Sequence, residues 1–256
     1  MNTLASLRRE VGVSYLGAIS SSAKIVKNEK VLGIKTYCLY LMPSDFSGRN
    51  VCPSASVECR LGCLNLSGRN KMAKSRNTIQ DARYKKTNFF FEHNEKFMEL
   101  LVLELHAAKR EAEKSGYEFA VRLNGTSDID WTKQYHNGQT VFEIFPNVQF
   151  YDYTKVANRF TNVPANYHLT FSHTGTHSNV QKCKELLAQG HNIAVVFNIA
   201  KGNDLPLNLW GGKVIDADVT DYRPADGNGV IAGLRWKNIA DKAINDRIKQ
   251  SCFVIQ

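Results

Sequence analysis

Residues 167–197 read YHLTFSHTGTHSNVQKCKELLAQGHNIAVVF. The segment opens and closes on short apolar runs, Tyr167 to Phe171 and Ile193 to Phe197, each with the length and composition of a strand. Between them, Val180, Cys183, Leu186 and Leu187 recur at helical spacing over Asn179 to Gln189, and Gly190 supplies a C-terminal stop. A strand, a helix and a strand this close together call for parallel pairing, because a crossover helix returns the chain to the same edge direction.

The same alternation extends outward. Thr36 to Met42, Phe119 to Leu123, Val148 to Tyr151, Val214 to Ile215 and Val230 to Leu234 read as further strands. Ser75 to Lys114 reads as helix, with Phe97, Leu100, Leu101, Leu103, Leu105 and Ala108 on a broad apolar face and Gly116 as its stop. Lys237 to Gln250 reads as a closing helix, and Val13 to Ile34 as a small N-terminal hairpin. The expected fold is a single α/β domain over residues 1–256. It is a parallel TIM-barrel-like barrel, complete or incomplete, with residues 1–35 as a cap and 43–68 as a cysteine-bearing loop.

Composition narrows the function classes. The 256 residues are 43% hydrophobic, enough for one large core. Six Cys are too few for a disulfide scaffold. The N-terminal segment, with Arg8 and Arg9, lacks the apolar core of a secretory signal, and no apolar run approaches a membrane span. No membrane partner is expected, and a reducing compartment is, where clustered Cys mean metal or redox chemistry more often than disulfides. The formal charge of +9 concerns solubility and weak association with polyanions. Its densest stretch, 67–86, carries Arg69, Lys71, Lys74, Arg76, Arg83, Lys85 and Lys86. A solvated helix face is the plainer reading, and a surface for nucleic-acid phosphates the functional one.

Polar residues gather where the strands end. Asn124, Ser127 and Asp128 follow one strand; Asp152, Tyr153 and Lys155 another; Ser172, His173 and His177 a third. Asn198 and Lys201, then Asp216, Asp218 and Asp221, follow two more. Parallel sheets place binding sites at the carboxyl ends of their strands. Each residue alone could be a cap or a turn. The repetition marks Asn124, Asp128, Asp152, Lys155, Ser172 and Asp216 as the expected lining of one ligand cavity beside the cysteine loop.

That loop contains CPSASVECRLGC, so Cys52, Cys59 and Cys63 are separated by six and then three residues. Thiolates are soft ligands suited to zinc and to iron–sulfur clusters. Three on one polar loop can converge without distant chain, and three unrelated core thiols are the weaker reading. Structural zinc takes four protein ligands, and no second pair matches this trio. A 4Fe-4S cluster on three Cys leaves one iron for a non-protein ligand or a fourth side chain. Cys38 and Cys183 read as core residues, and Cys252 is a weak fourth candidate. His173 and His177 fall in a segment that reads as loop, so solvation or hydrogen bonding is their first reading.

The blocks CPSASVECRLGC, RLNGTSDIDW, YDYTK, LTFSHTG, GGKVIDADVTDYR and GVIAGLRWK, in this order from about Thr36 to Lys237, resemble the phage-encoded gene product 88 family. The resemblance implies a bacteriophage origin and a host-cytoplasm location, and supplies no mechanism. The architecture is also similar, more loosely, to radical S-adenosylmethionine enzymes, in which three Cys after the first barrel strand hold a 4Fe-4S cluster whose open iron binds the cofactor. Here Cys52, Cys59 and Cys63 follow the strand Thr36 to Met42. The chain departs from that pattern in its Cys spacing, six and three rather than three and two, and in carrying LNGTSD where those enzymes carry a glycine-rich acidic motif. S-adenosylmethionine is thus a cofactor that the architecture suggests and the motifs do not support.

Three function classes follow. The first is an iron–sulfur protein on a barrel-like scaffold, redox-active or catalytic, whose cofactor does the hard chemistry. The second is a divalent-metal nucleic-acid enzyme, with Asp128, Asp216, Asp218 and Asp221 as hard oxygen ligands. Asp216 and Asp218 would share a strand face there, and Asp221 with Arg223 would serve equally as a turn and an ion pair. The third is a non-enzymatic factor that binds a host protein and keeps a structural metal.

Overall fold

A computed structural model describes residues 3–63 and 77–256. The first half of the basic stretch, residues 67–76, lies outside these residues. The strands are β1 Gly17–Ile19, β2 Ile34–Leu39, β3 Glu118–Arg122, β4 Gln149–Thr154, β5 Tyr167–Ser172, β6 Asn192–Phe197, β7 Asn208–Leu209, β8 Gly212–Asp216, β9 Val230–Arg235 and β10 Val254–Ile255. The helices are α1 Leu4–Val11, α2 Ala23–Leu32, α3 Val57–Leu61, α4 Thr78–Glu92, α5 Asn94–Lys114, α6 Val141–Ile144, α7 His177–Ala188 and α8 Lys242–Lys249.

All ten strands form one sheet in the order β1-β2-β3-β4-β5-β6-β9-β8-β7, with β10 added beside β6. From β2 to β8 every neighbouring pair is parallel. The edge pairs β1–β2 and β7–β8 are antiparallel. Chain order and sheet order agree from β1 to β6, which is the winding of a barrel, but β1 and β7 remain at opposite edges of this path. The sheet is mixed, mostly parallel and not closed. The expected parallel strands are present; a closed barrel is not, because each end of the sheet finishes in an antiparallel edge strand.

Both faces are covered, as parallel sheets require. Tyr37 and Leu39 of β2, Val121 of β3 and Phe150 of β4 join Phe97, Leu100, Leu101 and Leu105 of α5 in the main core. Phe171 of β5 and Ile193 and Val195 of β6 pack with Cys183, Leu186 and Leu187 of α7. Cys38 and Cys183 are fully buried core thiols, as their positions in apolar elements imply.

The opposite face is polar and still buried. Helix α2 lies there with the segment that follows β8. The Asn28 side chain donates to Thr36 Oγ1 and Tyr151 Oη and accepts from the backbone N–H of Asp221 and Tyr222. Arg122 Nη1 donates to Asp221 Oδ2 at 2.7 Å, and Lys24 Nζ is 3.5 Å from Asp221 Oδ1. Burial pushes the Asp221 carboxyl up, but Arg122, Lys24 and Arg223 outweigh it and hold the carboxyl below its ordinary range. This ion pair ties β3 to the far end of the chain across the inner face.

Several boundaries differ from the sequence reading for local reasons. The expected helix Ser75 to Lys114 is two helices, because His93 leaves the helical region at φ −139°, ψ 53° and both caps α4 and begins α5. The expected N-terminal hairpin is an antiparallel β1–β2 pair joined by α2, which Ser22 caps at its start and Gly33 ends with φ 70°. Glu104 of α5 anchors this cap: it accepts from Leu16 and Gly17 N–H, Tyr37 hydroxyl and Arg8. The closing helix begins only at Lys242, where Asp241 caps it.

Two expected outcomes follow. Asp221→Ala leaves Arg122 buried without its carboxylate, so urea denaturation should show a loss of about 3–5 kcal/mol; a loss under about 1 kcal/mol would remove the ion pair from its central place. Asp152 accepts from Asn124 N–H and Tyr167 hydroxyl, and its burial, only partly offset by Arg122 and these bonds, pushes it up to about 7. The folded chain therefore keeps this proton up to about pH 7, while an unfolded Asp loses it near pH 4. Stability from this group is full below about pH 4 and falls as pH rises to about 7. Asp152→Asn should melt above the wild type at about pH 8 and lose that advantage by about pH 4, and parallel pH profiles would contradict the assignment.

Candidate metal centre at the strand ends

The cysteine loop leaves β2 and crosses the C-terminal ends of the parallel strands. Its first part is tied to the β3 exit. Asp128 N–H donates to Val51 carbonyl, and Thr126 Oγ1 donates to Leu41 carbonyl. Gly125 is required here, because a Cβ would stand 2.7 Å from Leu39 carbonyl oxygen and the Tyr40 ring. The middle of the loop reaches β5: Ser56 caps α3 by accepting from Cys59 N–H and donates to Thr174 carbonyl. The last part rests on the chain after β9, where Leu61 packs with Ile239, Ile248 and Val254. Gly62 lies so close to Trp236 that a Cβ would meet its ring at 2.7 Å.

None of the three loop thiols is in a disulfide among the described residues, and all three are half-buried. Cys52 Sγ accepts from Ser44 N–H at 3.4 Å and lies 3.8 Å from Thr126 carbonyl. Burial pushes its thiol up to about 11, although Ser44 N–H and Lys155 act the other way. Lys155 lies within electrostatic reach of the first two thiols. Burial opposes its charge, but Cys59, Asp128 and Cys52 outweigh that, Cys59 by direct hydrogen bonding, and keep the ammonium above its ordinary range. Cys63 follows α3 and belongs to a different neighbourhood, where the Arg83 guanidinium lies among Tyr40, Cys63 and Cys38. Among the described residues, no three His, Cys, Asp or Glu side chains stand together as a ready metal set. The three thiols share one loop and soft-ligand chemistry, but the folded chain does not bring all three together.

The other expected site residues have definite places. Asn124 organises the β3 exit: its Oδ1 accepts from Ser127 hydroxyl, Ile129 N–H and Trp131 Nε1, and its Nδ2 donates to Ile129 carbonyl. Asp128 pairs with Arg159 Nη1 and accepts from Lys155 N–H. Asn124 and Asp152 are joined through the Asn124 N–H, and Asp128 and Lys155 through the Lys155 N–H, two pairs at the exits of β3 and β4. Ser172 is buried and its carbonyl accepts from Asn179. Asp216 pairs with Arg235 beside Asp218 at the β8 end.

The carboxylates considered for a hard cation are each engaged by arginine: Asp128 by Arg159, Asp216 and Asp218 by Arg235, Asp221 by Arg122. Asp221 takes Arg122 and Lys24 as its ion-pair partners, while Arg223 Nη1 lies against Asp226. His177 begins α7, which Thr176 caps. His173 is buried against Trp210 with both ring nitrogens lacking a hydrogen-bond partner among the described residues, and burial lowers it to about 4. The sequence reading assigns Arg83 only to the basic stretch and Tyr40 only to a strand; the folded chain sets the Arg83 guanidinium over the Tyr40 ring and near Cys63.

No helix among the described residues is long and apolar enough to cross a membrane. No curated protein and no solved structure matches the chain. A family model for gene product 88 matches residues 16–252, which spans the sheet, the cysteine loop and the strand-end groups. The chain therefore belongs to the gene product 88 family of phage proteins.

Proposed function

We propose that this protein binds an iron–sulfur cluster through Cys52, Cys59 and Cys63, on a barrel-like sheet whose strand ends hold a small ligand. The observation that carries the reading is Lys155, a half-buried ammonium shared by Cys59, Asp128 and Cys52. The thiolate is the metal ligand, and a cation beside the loop would balance the charge of thiolates formed when a metal displaces their protons. Arg83 stands in the same relation to Cys63. When bound, a cluster with three protein ligands would supply redox chemistry and one iron open to a further ligand.

The chain's own groups have separable tasks in this reading. Lys155 and Arg83 balance the negative charge of the thiolates. Ser56 fixes α3 to the β5 exit, and Gly62 lets the loop end sit against Trp236. Asp128 holds Arg159 and the Lys155 backbone, so it positions Lys155 rather than a metal. The strand order of β2 to β6 suits a radical S-adenosylmethionine type of architecture, but the Asn124 segment is fully used in its own turn. A redox or small-molecule role at the cluster therefore stands ahead of that cofactor. A reducing host cytoplasm is the setting in which six cysteines outside disulfides persist.

Anaerobic purification or reconstitution should yield about four iron and four sulfide per chain and a brown protein with thiolate-to-iron absorption. Cys52→Ser, Cys59→Ser and Cys63→Ser should each lose most of that absorption, and Cys183→Ala should keep it. Stoichiometric zinc without iron in the wild type would sink the cluster reading and leave a structural metal in its place.

A further inference from the structure

The inner face of the sheet carries more hydrogen-bond donors than acceptors. Arg122, Tyr153 and Thr170 stand on the neighbouring strands β3, β4 and β5. Tyr153 and Thr170 are direct register partners, and the Arg122 guanidinium lies 4.9 Å from the centre of the Tyr153 ring. Arg223, in the 3-10 turn Arg223–Asp226, is 1% exposed and packs on β5 from the same side. Arg122 Nε, Tyr153 Oη, Thr170 Oγ1 and Arg223 Nη1 are buried with no hydrogen-bond partner among the described residues. Each of these atoms carries a proton to donate.

Acceptors on this face do not match them. Asp221 is engaged by Arg122 Nη1 and Lys24. Asp226 Oδ2 lies 3.0 Å from Arg223 Nη1, as an ion pair that forms no hydrogen bond. His168 Nε2 is also unpartnered, and its role depends on the tautomer. Positive charge is in excess as well: Lys24 and Lys237 are both lowered, by burial first and then, against the pull of nearby carboxylates, by neighbouring cations. Buried donors of this kind are normally satisfied by protein, water or ligand.

We propose that this inner face binds a small oxyanion, a phosphate or carboxylate group, through Arg122 Nε, the Tyr153 and Thr170 hydroxyls and Arg223. The ligand is small because the donors are enclosed by α2 and the segment after β8. That enclosure leaves no path for a nucleic-acid backbone. The site shares no residue with the cysteine loop and does not depend on the cluster.

The test is calorimetric titration of the full-length protein with inorganic phosphate and, separately, with acetate, each against chloride at equal ionic strength. One of the two anions should bind and raise the melting temperature beyond chloride. Tyr153→Phe and Thr170→Val each delete an unpartnered hydroxyl, so both should fold as well as the wild type without ligand. Each should bind the anion roughly 10-fold more weakly, as expected for loss of one hydrogen bond to a charged group. Cys59→Ser should bind as the wild type does. The proposal is overturned if neither anion binds better than chloride, if both hydroxyl variants keep wild-type affinity, or if affinity is lost only in Cys59→Ser.

Discussion

The fold depends on a buried charge pair, Arg122 with Asp221. An arginine in the middle of a parallel sheet is costly to desolvate and is tolerated when its charge and hydrogen bonds are met. Asp221 meets the charge, through Arg122 Nη1, from a segment almost a hundred residues away in sequence, at 2.7 Å. The same carboxylate also faces Lys24 of α2 and lies 3.4 Å from the Tyr151 hydroxyl. One group therefore fixes α2, two central strands and the chain after β8 to one face. An apolar filling would close that face as well. The polar filling leaves donors on it, and those donors are what give the interior chemistry.

With both faces covered, the carboxyl ends of the strands are the part of the sheet that the cysteine loop reaches. The cysteine loop is held there at three places: by Val51 and Leu41 near β3, by Ser56 near β5 and by Gly62 against Trp236 after β9. A loop fixed at three strands holds its thiols in a defined relation to the sheet. Lys155 enters from the β4 exit and meets two of them. The third thiol is carried by the same short helix toward Arg83. Charge compensation of this kind is what a thiolate centre needs.

Much of this was legible in the sequence where one local pattern decided the outcome. The strand–helix–strand at residues 167–197 has apolar runs, helical spacing and a glycine stop that all agree, and β5, α7 and β6 stand where they imply. The gene product 88 blocks were equally readable. The failures have physical causes too. The α4–α5 break rests on one residue, His93, whose backbone leaves the helix without Pro or Gly to announce it. Helix α2 has clear signals in Ser22 and Gly33, but its apolar positions are few because it buries Asn28 rather than a hydrophobic stripe. The short strand β10 is set by its pairing with β6 and has almost no pattern of its own. Strand-end polar residues were found as a class, yet sequence could not separate Asn124, which organises a turn, from Lys155, which faces the thiols.

The central claim is that Cys52, Cys59 and Cys63 together hold iron and sulfide. X-ray absorption at the iron edge on anaerobically prepared protein tests it most directly. The account requires a first shell of sulfur and a second shell of iron at the short distance found only within a cluster. A shell of nitrogen and oxygen, or an iron with no iron neighbour, would contradict it.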